Sequence, residues 1–499
     1  MKCSRLKTFL CLLVLAVILI FFLHTLLRVN EGNRLNPKRQ EYSENDFDFD
    51  EAEANFPKII NLRIQSKQKS QNFQVDGDQV VVAPYLQNVT KTFKKFIKPT
   101  KNNANHQPTT SSYKQRMENW NAFFRKRSKL QRAQTSDTVQ NSINITSKRY
   151  KFPNSRKPLN ISDFTAEPKW EFGDYYTLDT SSTQTSCPIS VKIKALNSSW
   201  LKERFLPQIT IFMDNRHFSD KEWERLKHFI PPYGWMTLNY TDIKEVVSAL
   251  PRLPDQQILL SAKKADVPHC VSCAVVGNGG ILNGSRLGKE IDLHDYVFRV
   301  NGAVTNGYET DVGNRTSFYG FTAQTLISAL YLLSTEDFPN IPMTGETKYI
   351  LFTEGQRDYG WLEALQKNKS ISKGPLKAYS KSPREDFGSS FNLNKLLVAH
   401  PDFMRYLKDR YLRSETLKEK YWAIYRPSTG ALLLLTAVHL CDTVSAYGFM
   451  TEDYKSYSDH YYDKNKTKTI LYVNHDFLLE IELWRNLHRK NIIKLYQRT

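Results

Sequence analysis

Two histidines near the C-terminus of this 499-residue chain are the side chains best suited to acid–base chemistry. His460 lies in SDHYYDKNKT (458–467), and His475 is the second residue of NHDFLLEIELW (474–484). Because an imidazole titrates near neutral pH, each histidine can take up or release a proton during a reaction, with an ordinary surface or core histidine as the alternative. The apolar run TILYVN (469–474) predicts a strand that separates them.

A glycine-rich segment follows an apolar run in AVVGNGGILNGSRLG (274–288). A strand that enters a glycine loop can bring backbone N–H groups close to a phosphate. A dinucleotide-binding fingerprint would require a further glycine at position 282, where Leu282 stands. The segment therefore indicates an anion-binding turn, with an ordinary tight turn as the alternative.

A second anion site is indicated by RPSTGALLLLTAVHLCD (426–442). Pro427 and Ser428 before an apolar run predict a helix N-terminus, where Ser428 or Thr429 can cap the first turn. The free N–H groups and the positive end of the helix dipole favour an anion. The alternative is an ordinary capped helix in the core.

Metal binding is not indicated by the spacing of the metal-ligating residues. A zinc site built from His460, His475, Asp463 and Glu480 would match no compact pattern such as H-E-x-x-H. The CVSC segment (270–273) precedes an apolar strand, whereas a redox CxxC follows one. We therefore expect no metal and no redox role.

The four cysteines beyond the N-terminal apolar segment are even in number, which indicates two disulfides in an oxidising compartment. Four cysteines allow three pairings, and their spacing does not choose between them. They are Cys187, Cys270, Cys273 and Cys441.

The elements that must position these residues alternate between strands and helices, which predicts an α/β fold with a mostly parallel sheet. Strands are predicted at 209–214, 273–278, 296–300, 347–353, 443–450 and 469–474. Helices are predicted at 325–333, 392–412, 430–441 and 476–489. We expect one folded domain over 166–499.

The N-terminus predicts a membrane anchor. Residues 9–27 carry no formal charge, and 19 helical residues at about 1.5 Å each nearly span a bilayer core. Lys2, Arg5 and Lys7 precede the segment, so residues 1–8 are expected in the cytosol and the remainder in the lumen. An uncleaved signal anchor is favoured over a cleaved signal peptide.

The formal net charge of +19 lies mostly outside the folded domain. Residues 1–30 contribute +4, residues 31–160 contribute +12, and residues 161–499 contribute only +3. Residues 28–165 are polar with blocks of one charge sign, which predicts a mostly disordered luminal stem. Together with the topology, this distribution excludes a nucleic-acid partner.

Nine N-x-S/T sequons are candidate N-glycosylation sites in a luminal chain. Their asparagines are Asn88, Asn144, Asn160, Asn197, Asn239, Asn283, Asn314, Asn368 and Asn465.

Four segments in one order resemble the sialyl motifs of the animal sialyltransferase family. Residues 269–322 resemble the large motif, 427–449 the small motif and HYYD (460–463) the third, while His475 with Glu480 matches the very short H-x(4)-E motif. The resemblance covers about 180–499. It implies a Rossmann-like, GT-A-variant glycosyltransferase domain that uses CMP-sialic acid as donor.

The resemblance also implies roles for single residues. His475 would be the general base, His460 would contact the donor phosphate and assist its departure, and Glu480 would support the site. Acceptor contacts would come from Trp422 and Tyr425. The donor would be bound by Gly277, Asn278, Gly279, Asn301, Ser428, Thr429, Gly430 and His460. The implied disulfides are Cys273–Cys441 and Cys187–Cys270.

Within the family, DLHDYVFRVNGAV, TDVGNRTSFYGFT and EKYWAIYRPSTG most resemble the N-acetylgalactosaminide alpha-2,6-sialyltransferases, and the long stem favours their long-stemmed members. This implies an inverting, metal-independent enzyme of the Golgi membrane that needs no cofactor. It would transfer sialic acid to O6 of GalNAc on O-glycosylated glycoproteins. The alternatives are alpha-2,3 transfer to galactose of the same glycans and a catalytically silent luminal glycan-binding protein.

Overall fold

The computed structural model describes residues 158–179, 185–253, 270–333, 338, 340–389, 391–472 and 474–498. The expected cytosolic tail (1–8), signal anchor (9–27) and nearly all of the stem lie outside these residues, as do Asn88 and Asn144. Among the helices of the described residues, none has the length and apolar content needed to cross a membrane. Which sequons carry glycans stays a prediction.

The described residues form one sheet whose strand order is β1-β6-β5-β4-β3-β2-β7-β8. Neighbouring strands are parallel except at the edge, where β1 runs antiparallel to β6. The mostly parallel sheet is thus confirmed. The strands are β1 Phe212–Met213, β2 Ser272–Val276, β3 Tyr296–Val300, β4 Phe318–Phe321, β5 Lys348–Leu351, β6 Leu396–Ala399, β7 Thr443–Tyr447 and β8 Lys494–Leu495.

Both faces of the sheet are buried, which is why its strands are continuous apolar runs rather than alternating ones. In β2, Cys273 and Val275 contribute to one apolar cluster, whereas Ala274 and Val276 contribute to the other. The α-helices of the described part are α1 Val191–Asn197, α2 Asp220–Leu226, α3 Tyr240–Ser248, α4 Gly288–Asp292, α5 Glu309–Val312, α6 Ala323–Leu332, α7 Gln356–Lys367, α8 Pro401–Arg410, α9 Thr429–Leu440 and α10 Phe477–Arg489.

Helix α9 lies in the core, and its residues from Ala431 to Leu440 are all buried. A disulfide joins Cys273 of β2 to Cys441, which directly follows α9. A second disulfide joins Cys187 to Cys270. These are the same two pairs that the family resemblance implies.

Two predicted elements are wrong. Residues 469–472 form no strand, and Leu471 and Tyr472 are 48% and 41% exposed, so this apolar run contributes neither to the sheet nor to the core. The predicted helix 392–412 contains strand β6 followed by α8, since Pro401 supplies a fixed φ suited to the first position of a new helix.

The folded part also begins before the predicted boundary at residue 166. Leu159 and Phe164 pack against the core, and the Phe164 carbonyl accepts a hydrogen bond from the Trp422 indole at 3.3 Å. These residues therefore belong with the domain rather than with the stem.

Candidate active site

The candidate site lies where the carboxyl ends of the parallel strands meet the N-terminus of α9. Loops that leave β2, β3 and β5 all emerge at this edge of the sheet, which is where open α/β folds bind ligands. The four segments singled out in the sequence converge here, although the chain separates the first from the last by about two hundred residues.

The glycine loop after β2 packs against the end of β7. The N–H groups of Gly277 and Gly279 donate to the carbonyls of Tyr447 and Gly448 at 2.8 and 3.0 Å. A Cβ atom at either glycine would lie 2.6 Å from the Gly448 oxygen, so no side chain is tolerated there. These glycines permit a close approach of two backbones.

Asn278 lies between those glycines and connects the loop to β3. Its Nδ2 donates to the Asn301 carbonyl at 2.8 Å, which places two of the expected donor-binding residues side by side. Its Oδ1 is buried and has no hydrogen-bond partner among the described residues. An unpaired buried oxygen is costly, so this amide is suited to a polar ligand.

His460 lies directly beside the glycine loop. Its backbone forms an antiparallel bridge with Gly279, and the next residue donates its N–H to the Asn278 carbonyl at 3.0 Å. The imidazole Nδ1 lies 3.6 Å from Asp463 and 3.7 Å from Asp459. Burial opposes the cation, but these two carboxylates outweigh it and raise the His460 pKa, which favours the protonated ring.

His475 is held as a neutral base. Its Nδ1 lies 2.8 Å from the carbonyl of Arg426 and must donate to it, since a carbonyl only accepts. Burial, together with the nearby Arg426 charge, lowers the His475 pKa to about 4. At neutral pH the Nε2 atom therefore carries a free lone pair.

Ser428 is fixed by the carboxyl group of Glu480. The Ser428 N–H donates to Oε1 and its hydroxyl donates to Oε2, both at 2.8 Å. The same hydroxyl accepts from the Ala431 N–H at 3.1 Å and so caps α9. Burial raises the Glu480 pKa to about 7.

The first turn of α9 presents unused donors. The N–H groups of Thr429 and Gly430 have no hydrogen-bond partner among the described residues, as expected at a helix start. With the helix dipole behind them they favour a negatively charged group.

The structure leaves Trp422 and Tyr425 almost no exposed surface for the expected acceptor contact. Both are core residues, 2% and 1% exposed. The Tyr425 hydroxyl donates to the Leu412 carbonyl at 2.6 Å, so its polar end is already used inside the protein. The aromatic pattern before the small motif reflects packing.

An ion pair missed in the sequence lies next to His475. Arg426 Nε is 2.8 Å from Oε1 of Glu354, in the loop that leaves β5. Glu354 belongs to none of the four motifs, and a single glutamate 72 positions before its partner gives no spacing signal. Only the parallel sheet order brings the two together.

Comparison with known proteins fits this geometry. Residues 212–492 match the protein family described as "Glycosyltransferase family 29 (sialyltransferase)". Alpha-N-acetylgalactosaminide alpha-2,6-sialyltransferase 1 of Gallus gallus is 56% identical over 344 residues, which are 69% of this chain and 61% of that protein. Alpha-N-acetylgalactosaminide alpha-2,6-sialyltransferase 2 of Mus musculus is 44% identical over 56% of this chain and 74% of that protein.

A more distant relative has another linkage in its name. CMP-N-acetylneuraminate-beta-galactosamide-alpha-2,3-sialyltransferase 1 of Sus scrofa is 32% identical over 54% of this chain and 68% of that protein. The chain spans less than two thirds of the length of the type 1 alpha-2,6 relatives that it matches. With more than half of its residues inside the family match, the chain belongs to glycosyltransferase family 29, the sialyltransferases.

Proposed function

We propose that the chain transfers sialic acid from CMP-sialic acid to O6 of GalNAc in O-glycans of glycoproteins. The names of the relatives at 52–56% identity support the alpha-2,6 linkage and the GalNAc acceptor. The observation that carries the proposal is the neutral His475, whose Nδ1 is tied to the Arg426 carbonyl beside the start of α9.

The reaction follows from these groups. His475 Nε2 takes the proton of the acceptor 6-hydroxyl while that oxygen forms a bond to the anomeric carbon of sialic acid. The bond from the same carbon to the CMP phosphate oxygen breaks, and its electron pair leaves with the phosphate. His460, whose raised pKa favours the protonated ring, and the N–H groups of Thr429 and Gly430 stabilise that growing negative charge.

One base and one direct attack imply inversion at the anomeric carbon. Because the leaving group is already a phosphate ester held by hydrogen-bond donors and a cation, the proposed reaction needs no metal ion and no cofactor. We further propose that the domain is held in the Golgi lumen by the apolar segment 9–27, as a single-pass type II membrane protein.

Alpha-2,3 transfer to galactose of the same glycans is the alternative within the family, and it is supported only by relatives such as the 32% identical protein of Sus scrofa. A silent glycan-binding protein is the alternative outside enzymes. The opposed pKa shifts of His475 and His460 argue against it, because binding alone requires neither shift.

The proposal is tested by replacing His475 with alanine. We expect His475→Ala to lower kcat for transfer to a GalNAc-Ser/Thr glycopeptide by about 10²–10⁴-fold, the usual contribution of a general base. CMP binding, measured by calorimetry, should persist. His294→Ala is the matched control, because His294 precedes β3 at the opposite edge of the sheet and should leave kcat unchanged. Unchanged turnover in His475→Ala would refute the assignment.

A further inference from the structure

A buried charge cluster outside the sialyl motifs borders the proposed base. The Glu354 side chain, only 10% exposed, is 2.8 Å from Arg426 Nε through Oε1 and accepts from Arg357 Nη2 at 3.0 Å through Oε2. Arg357 in turn donates to Gln324, in the first turn of α6. Glu354 therefore ties the Arg426 side chain to the ends of β4 and β5.

The main chain of Arg426 is also fixed around the base. Its carbonyl accepts from His475 Nδ1 at 2.8 Å, and its N–H donates to the Asn474 carbonyl at 2.9 Å. The guanidinium charge acts directly on His475, since it lowers that pKa while Glu354 raises it. The Arg426 side chain therefore belongs to the same residue whose carbonyl orients the His475 imidazole.

The terminal nitrogens of Arg426 are left with donors to spare. The side chain is 21% exposed, and Nη1 and Nη2 have no hydrogen-bond partner among the described residues, whereas the buried Nε forms the ion pair with Glu354, without hydrogen-bond geometry. A guanidinium presents several N–H groups in a rigid plane, so one edge can face Glu354 while the other binds a ligand oxygen.

The local charge favours a neutral ligand. Arg426 and Arg357 are matched by the carboxylates of Glu354 and Asp358, the latter 3.6 Å from Arg357. A balanced cluster attracts an anion weakly, whereas hydroxyl and amide oxygens need only donors. The donor phosphate already has His460 and the start of α9, so the oxygens available beside His475 are those of the acceptor.

We propose that Arg426 binds oxygen atoms of the acceptor sugar next to His475 and that Glu354 is the positioning residue that holds its guanidinium. The ligand groups are neutral sugar oxygens, namely ring hydroxyls or the N-acetyl carbonyl. This inference rests on the proposed function, because it takes the reacting hydroxyl to be the one that faces His475.

The test compares the effect of each substitution on the acceptor KM with its effect on the KM for CMP-sialic acid. Arg426→Gln should raise the acceptor KM on a GalNAc-Ser/Thr glycopeptide by about tenfold or more, a loss typical of a paired polar contact. The KM for CMP-sialic acid should stay within about twofold. Arg426→Lys should fall between, because an ammonium keeps the charge but loses the planar fork.

Glu354→Gln tests the positioning role without removing the guanidinium. It should raise the acceptor KM less than Arg426→Gln does, and the double variant should be no worse than Arg426→Gln alone, since both act through one group. Arg485→Gln, which breaks an arginine–glutamate pair on α10, is the control and should change neither KM.

An unchanged acceptor KM in Arg426→Gln and Arg426→Lys, with an unchanged unfolding midpoint, would overturn the inference. A rise in the donor KM of the same size would also overturn it, because Arg426 would then bind CMP-sialic acid. A failure of the proposed function can be told apart from this result, because the wild-type chain itself would then not sialylate the glycopeptide.

Discussion

At the scale of single residues, two histidines with opposed pKa shifts carry the proposed chemistry. His475 is neutral because burial disfavours its cation and its Nδ1 proton already has a carbonyl acceptor. The pKa of His460 is raised because Asp463 and Asp459 outweigh its burial. Identical side chains thus receive the base and acid roles from their surroundings.

The opposed pKa shifts of His475 and His460 predict a bell-shaped pH dependence of kcat. Activity should rise as pH increases through about 4, where His475 loses its proton, and fall above the ordinary histidine range, where His460 loses its own. We expect His460→Gln to abolish the alkaline limb, while Glu480→Gln should retain it. A limb that survives in His460→Gln would assign the acid to another group.

At the scale of elements, the contact between α9 and α10 organises the donor side. Glu480 of α10 accepts both hydrogen bonds that Ser428 offers, so the cap of α9 is held from a neighbouring helix. The H-x(4)-E spacing follows from this arrangement. His475 precedes α10, whereas Glu480 lies on its first turn, facing α9.

Removal of that carboxyl group should weaken the donor site and the fold together. Glu480→Ala leaves the Ser428 N–H without its acceptor, which we expect to cost about 1–3 kcal/mol of unfolding free energy. The KM for CMP-sialic acid should rise while the acceptor KM changes little. Equal changes in both constants would contradict a role specific to the donor loop.

The raised pKa of Glu480 also makes the free energy of unfolding depend on pH. Its folded pKa is raised from 4.5 to about 7, so the folded state holds the proton more tightly than the unfolded chain. The stabilising contribution is therefore full below pH 4.5 and is lost as pH rises to 7. Urea unfolding of Glu480→Gln should show a flatter pH dependence over this interval than the wild type.

At the scale of the whole molecule, the Cys273–Cys441 disulfide locks the two binding loops to each other. It joins β2, which ends at the glycine loop, to the residue after α9, which begins at Ser428. Replacing both cysteines by serine should lower the unfolding free energy by about 2–5 kcal/mol. Thermal unfolding measures this, and an unchanged midpoint would show that the core alone fixes the loops.

Much of this architecture could be predicted, because buried parallel strands and the apolar α9 leave strong patterns. The run TILYVN misled because a short apolar run does not reveal whether its side chains are buried, and Leu471 and Tyr472 are exposed outside the sheet. Trp422 and Tyr425 misled because an aromatic residue beside a motif can belong to the core. The Glu354–Arg426 pair could not be predicted, since only the strand order brings it together.

The distribution of charge along the whole chain also bears on the candidate site. The near-balance of residues 161–499 agrees with a site whose positive potential is local, at His460 and the start of α9, rather than spread over a surface. The proposed substrates, a donor with one phosphate and a neutral sugar acceptor, require no more than that.

The linkage formed by the purified chain tests the central claim most directly. CMP-sialic acid is supplied with a glycopeptide that carries GalNAc-Ser/Thr and, separately, with one that carries galactosyl-GalNAc-Ser/Thr, and the products are analysed by NMR. The predicted result is sialic acid on O6 of GalNAc with inverted anomeric configuration. Sialic acid on O3 of galactose, or no transfer to either glycopeptide, would contradict the account.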